Sequence, residues 1–89
     1  MATVHFPAVL RRHIDCAPIE VAGASVRAVV DGAFALRPDL RGYLLDDQGA
    51  LRKHVALFVD GVAVRDRVGL ADPVRAGAEL EFLQALSGG

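Results

Sequence analysis

At 89 residues, with 53% hydrophobic and 24% charged side chains, the chain has the composition of one small globular domain and not of a disordered segment. A formal net charge of −1, with no basic stripe interleaved with aromatics, argues against nucleic acid as a partner. No apolar run approaches the roughly 18–20 residues that span a bilayer. Met1-Ala2-Thr3-Val4-His5 lacks the blocks of a secretion signal, and a lone cysteine forms no internal disulfide, so a cytoplasmic location is expected.

Thr3 to Leu10 reads as a strand with Val4, Phe6 and Ala8 on one face, bulged or at an edge because Pro7 donates no hydrogen bond. A polar break at Arg11–Asp15 leads to a second strand, Ala17–Val21, and the pair reads as a hairpin. Ser25 is the clearest start signal in the chain, an N-cap for a helix whose Val26, Val29, Val30, Ala33 and Phe34 recur at helical spacing. Gly32 weakens that helix by about 1 kcal/mol relative to Ala, so a short or bent helix is expected. Pro38 ends it, because proline disfavours α conformation in the residue before it.

Asp39 to Leu51 reads as a connection with a turn at Asp46-Asp47-Gln48-Gly49. His54–Val59 is apolar enough for a central strand buried on both faces, and Asp60-Gly61 is a tight hairpin dipeptide returning through Val62-Ala63-Val64. A loop at Val68–Pro73 and a turn at Arg75–Gly77 precede Glu79–Leu83, which alternates cleanly with Leu80 and Phe82 inward. The order is β-β-α-β-β-β, with one helix covering one face of a mixed sheet. The last residues, Leu86-Ser87-Gly88-Gly89, are expected to form a flexible, narrow tail ending in a carboxylate, with residues 1–84 as the domain and 85–89 as the tail.

Other candidate chemistry is thin. His13 and Cys16 stand at H-x₂-C spacing, but a structural zinc needs about four ligands and no second pair supplies them, so no metal site is expected. Cys16 as a nucleophile would need a base and an electropositive pocket, which a hairpin turn does not offer. Asp46-Asp47, Glu79, Glu81, Asp66 and Asp72 read as turn formers and solvent-facing charges. Arg11-Arg12-His13 and Arg52-Lys53-His54 read as solvated charges at loops or strand ends. Exposed apolar residues rimmed by charge would suit a partner surface, for which Phe58, Leu83 and Arg65, with Ala56, are the candidates. Sequence leaves open which face Phe58 takes, since a one-residue slip reverses it.

The element order ending in Gly88-Gly89 resembles the β-grasp fold of ubiquitin, and more closely the small bacterial sulfur carriers of the MoaD/ThiS family. The likeness runs through Leu10-Arg11-Arg12-His13, the Ser25-Val26 helix start, the segment His54-Val55-Ala56-Leu57-Phe58-Val59-Asp60-Gly61, Val64-Arg65, the Gly69-Leu70-Ala71-Asp72-Pro73-Val74 loop and Gly77. The resemblance implies an α+β β-grasp domain, with a sheet of four to five strands, that is a substrate and not a catalyst. A ubiquitin-activating-type enzyme would use ATP and magnesium to adenylate the Gly89 carboxylate. A sulfur donor would then convert it to a thiocarboxylate, and a client synthase would draw in Leu86, Ser87 and Gly88 to take the sulfur. No cofactor would be bound by the carrier itself. The chain departs from the common pattern in lacking proline before the tail, in Ala78 after Gly77, and in Ser87. The client therefore stays open among molybdopterin, thiamine and cysteine synthesis, with the Arg11–His13 exit and Val64-Arg65 closer to carriers feeding cysteine. A modifier joined through Gly89 to lysines of other proteins, and a non-covalent binding subunit, are the alternatives. Chain building by such a modifier would have only Lys53, the single lysine, and the N-terminal amine. A free-standing enzyme finds no constellation of residues to support it.

Overall fold

The computed structural model describes residues 1–84; Leu86, Ser87, Gly88 and Gly89 lie outside the described residues. The elements in chain order are β1 (Ala2–His5), α1 (Ala8–Arg11), β2 (Ile19–Val21), α2 (Val26–Leu36), α3 (Pro38–Leu44), β3 (Val55–Val59), β4 (Val62–Ala63) and β5 (Glu79–Gln84). They form a five-stranded mixed sheet in the order β2-β1-β5-β3-β4. Strand β5 runs parallel to β1 and antiparallel to β3, so the last strand lies at the centre and closes both halves of the sheet. This is the β-grasp arrangement.

Helix α2 forms for local reasons. Ser25 is extended (φ −137°), and its Oγ accepts the Ala28 N–H at 3.1 Å. The first free N–H groups of the helix find tertiary partners, Val26 N donating to Asp72 O at 2.9 Å and Arg27 N to Leu70 O at 2.8 Å. The helix thus starts on the loop that leads to β5. Its apolar stripe, Val26, Val29, Val30, Ala33 and Phe34, is buried against the sheet. Phe6, Phe34 and Phe82 meet between them, with ring centroids 5.9–6.5 Å apart. Leu80 and Phe82 point inward as expected, both fully buried.

Several sequence expectations need correcting. The opening strand ends at His5: Pro7 stops the ladder and starts the one-turn helix α1, which leaves Ala8 exposed instead of sharing the face of Val4 and Phe6. The second strand is shorter than expected, Ile19–Val21. Pro38 does end α2, but it also occupies the first turn of α3, a helix in what read as a connection. Leu40 and Leu44, four residues apart on α3, are fully buried and extend the core. Strand β3 is buried on one face only: Val55 and Leu57 are inside, whereas Ala56 and Phe58 are half-buried on a face that no helix covers. Gly32 does not shorten α2; it lets Val21 of β2 approach the helix, because a Cβ there would lie 2.5 Å from Val21 Cγ1. Asp60 and Gly61 adopt positive φ (50° and 83°), the pair of left-handed residues that a two-residue hairpin requires.

Candidate functional site

The chain continues toward residues 85–89 from Gln84, the end of the central strand. Gln84 pairs with Val55 and Leu83 with Ala56, so this root is held by the β3 ladder. The same register pairs Phe58 with Glu81 on one side and with Ala63 on the other. Period-two alternation then puts Ala56, Phe58, Ala63, Glu81 and Leu83 together on the outer face of the sheet. The register question left open by the sequence is thereby answered: Phe58 and Leu83 share the uncovered face, and Leu83 is 43% exposed.

Arg65 stands beside Ala63 of this group and not beside Leu83 or Gln84. It lies on the loop after β4, its backbone N–H donating to Asp72 Oδ2 at 2.8 Å, and it lines a separate depression with Val59, Val62, Ala63, Asp72 and Pro73. The basic residues at the root are others. An open groove of about 730 Å³ is bordered by Lys53, His54, Arg67, Val68, Leu83 and Gln84. Arg67 is fixed there, its Nη2 donating to Arg52 O at 3.0 Å and Val55 O at 2.7 Å. Arg52-Lys53-His54 is exposed at a strand end as expected, but its place beside the root was not read from the sequence. A run of basic residues immediately before the most apolar strand was the available signal.

The acidic side chains mostly shape loops. Asp66 accepts N–H groups of Gly69 at 2.8 Å, Val68 at 3.1 Å and Ala71 at 3.2 Å, and those bonds hold its carboxyl below the usual range. Asp72 is lowered likewise by the N–H groups of Arg65 and Asp66. Asp60 is lowered by the Glu79 N–H and then by the Arg75 guanidinium, at 3.0 Å and 2.9 Å. Cys16 is buried, and desolvation raises its thiol pKa above the ordinary value, which disfavours the thiolate a nucleophile needs. Among the described residues no group of three or more His, Cys, Asp or Glu side chains could hold a metal ion. No described helix is long and apolar enough to cross a membrane.

The model of the ThiS family matches residues 4–89. Among solved structures, a chain of the Amycolatopsis orientalis BexX/CysO complex is 28% identical with a TM-score of 0.82, over 100% of both chains. Mycobacterium tuberculosis CysO, described as an antigen, is 27% identical with a TM-score of 0.80, over 97% of this chain and 100% of that one. SAMP1 from Haloferax volcanii is 25% identical with a TM-score of 0.77, over 99% of this chain and 98% of that one. No match is found among curated protein sequences. The family match takes in four whole strands and the second half of β1, both sides of the groove and the terminal Gly88-Gly89: the chain belongs to the ThiS family of ubiquitin-like small sulfur carriers.

Proposed function

We propose that this protein carries sulfur on the carboxylate of Gly89 and delivers it to a biosynthetic enzyme. The observation that supports this reading most directly is that the ThiS-family match runs through Gly88 to Gly89. A carboxylate oxygen of Gly89 attacks the α-phosphorus of ATP in an activating enzyme, with magnesium, and pyrophosphate leaves. Hydrosulfide then attacks the acyl carbon, the bond to the AMP oxygen breaks, AMP leaves, and loss of a proton leaves –COS⁻ on the tail. The protein is a co-substrate here, and its domain supplies the docking energy that positions the tail in a partner. Of the possible clients, an enzyme of cysteine synthesis is favoured by the CysO neighbours and by the Leu10–His13 and Val64-Arg65 segments. Conjugation of the activated Gly89 to lysine amines is the second reading, favoured by the likeness to a small archaeal modifier protein.

The test is intact and fragment mass of the full chain after incubation with an activating enzyme, ATP, magnesium and a sulfide source. The expected result is a gain equal to exchanging one oxygen for sulfur, confined to the fragment ending at Gly89 and absent when Gly89 is deleted. Fragmentation matters because oxidation of Met1 or Cys16 gives nearly the same nominal gain. A carboxylate left unchanged while partners still bind the chain lacking Gly88-Gly89 would refute the carrier reading.

A further inference from the structure

Charge pairing on this domain is uneven. The described ion pairs are His5–Glu79, Arg27–Asp31, Arg37–Asp39 and Arg75–Asp60. None of them uses Lys53, Arg65 or Arg67. The one carboxylate lining the groove, Asp46, turns inward and accepts the N–H groups of Gln48 at 2.9 Å and Ala50 at 3.0 Å. Lys53 and Arg67 therefore meet no carboxylate among the described residues, and His54 stands beside them. Arg67 is also preorganised: two backbone carbonyls hold one guanidinium nitrogen, which lowers the entropy lost when the others are engaged. Between these cations lie apolar side chains that no other described residue covers, Val68 at 72% and Leu83 at 43% exposure.

From this we infer that the groove at the foot of β5 docks an acidic protein surface: Lys53, His54 and Arg67 meet carboxylates around the partner's opening for the tail, and Val68 and Leu83 are covered between them. The inference rests on the carrier reading, whose activating enzyme is the partner concerned. A small anion would satisfy the cations but leave Val68 and Leu83 in water. A nucleic acid is opposed by the small number of cations in the groove, Lys53, His54 and Arg67, against about 6–10 phosphate contacts in backbone binding. A protein surface answers both features of the groove. Charges at such a rim act chiefly on encounter, so their contribution is expected to be salt-dependent.

The experiment compares the unaltered chain with Lys53→Glu and Arg67→Glu in thiocarboxylate formation, titrating the activating enzyme at low and high salt. Lys53→Glu is the decisive variant because Lys53 makes no described hydrogen bond. Arg67→Glu also severs the bonds to Arg52 and Val55, so its fold is checked by circular dichroism. At low salt each reversal should raise the enzyme concentration for half-maximal conversion about tenfold. The difference should shrink at high salt, the product at saturation should stay unchanged for Lys53→Glu, and Arg65→Glu, off the groove, should have a smaller effect. Equal half-maximal concentrations for the unaltered and Lys53→Glu chains would overturn the inference while leaving the carrier reading intact. Absence of product from every chain at every enzyme concentration would instead refute the carrier reading.

Discussion

Gly32 offers a sharp test of how helix α2 is seated, because two effects act on it with opposite sign. Helix propensity alone says that Gly32→Ala should stabilise the protein by about 1 kcal/mol. Packing says otherwise: the added Cβ would lie 2.5 Å from Val21 Cγ1, far inside contact distance. Val21 is β-branched and buried on β2, so its methyl has few rotamers in which to retreat. Overpacking of this kind costs about 1–3 kcal/mol. The clash should outweigh the propensity gain and leave Gly32→Ala less stable by about 1 kcal/mol. In a Val21→Ala background the obstructing methyl is gone and the nearest remaining atom, Cβ of residue 21, is 3.9 Å away. There Gly32→Ala should become stabilising by about 1 kcal/mol, so the two sites couple by roughly 2 kcal/mol. Urea unfolding followed by far-ultraviolet circular dichroism gives all four stabilities of the cycle. If Gly32→Ala stabilises equally in both backgrounds, the close approach of β2 to α2 is wrong and Gly32 is only a weak point in a helix.

Ser25→Ala should cost about 1 kcal/mol in the same assay, through loss of the cap on Ala28 N–H, while Ser25→Gly costs less; equal stabilities of the unaltered and Ser25→Ala chains would refute the cap. Cys16 should resist alkylation in the native state and react at the rate of a free thiol once unfolded by urea, since burial both shields it and raises its pKa; native reactivity matching the unfolded rate would contradict that. Asp60, Asp66 and Asp72 all have folded pKa values below the ordinary carboxylate value, so their contribution is fully present above about pH 4 and is lost as pH falls through the lowered values. Urea midpoints should therefore drop below about pH 4, and less steeply in Asp66→Asn; an acid dependence unchanged by that substitution would exclude Asp66 as a source.

The features that could be read from the sequence were those with a local cause. Ser25 announces its helix, Asp60-Gly61 its hairpin, and Leu80 and Phe82 their inward face, because each signal lies within a few residues of its effect. Helix α3 carried local signals too: Pro38 and Asp39 at its start, and Leu40 and Leu44 one turn apart. Gly42 and the short length masked them. The burial of β3 failed for a different reason. An apolar strand reads as buried on both faces unless one knows that all the helical cover lies on one side of the sheet, and that is a tertiary fact. The groove is still less local. Its lining comes from residues 46–56, 67–68 and 83–84, which only the β3–β5 pairing and the Arg67 bonds bring together. Arg65 and Arg67 are two residues apart and look equivalent in the sequence, yet only Arg67 stands beside the root of the tail.

That difference bears on how a domain with an open groove could place a reactive group. Strand β5 is hydrogen-bonded on both sides, and its last described residue, Gln84, pairs with Val55. The Val55 carbonyl is also one of the two that hold the Arg67 guanidinium. The root of the tail and the basic rim are thus joined through a single residue of β3. A partner that grips the rim has by the same contact fixed the position and direction from which residues 85–89 set out. Five residues reach no more than about 18 Å. On the proposed carrier reading, orientation at Gln84 would then decide whether Gly89 meets the reacting atoms, and docking energy collected at the groove would be converted into placement. Loosening the Arg67 anchor while keeping its charge, as in Arg67→Lys, should accordingly reduce the maximal rate of thiocarboxylate formation more than it weakens binding. Lys53→Glu should do the reverse. Identical rate and affinity profiles for the two variants would show that the groove only attracts the partner and has no part in aiming the tail.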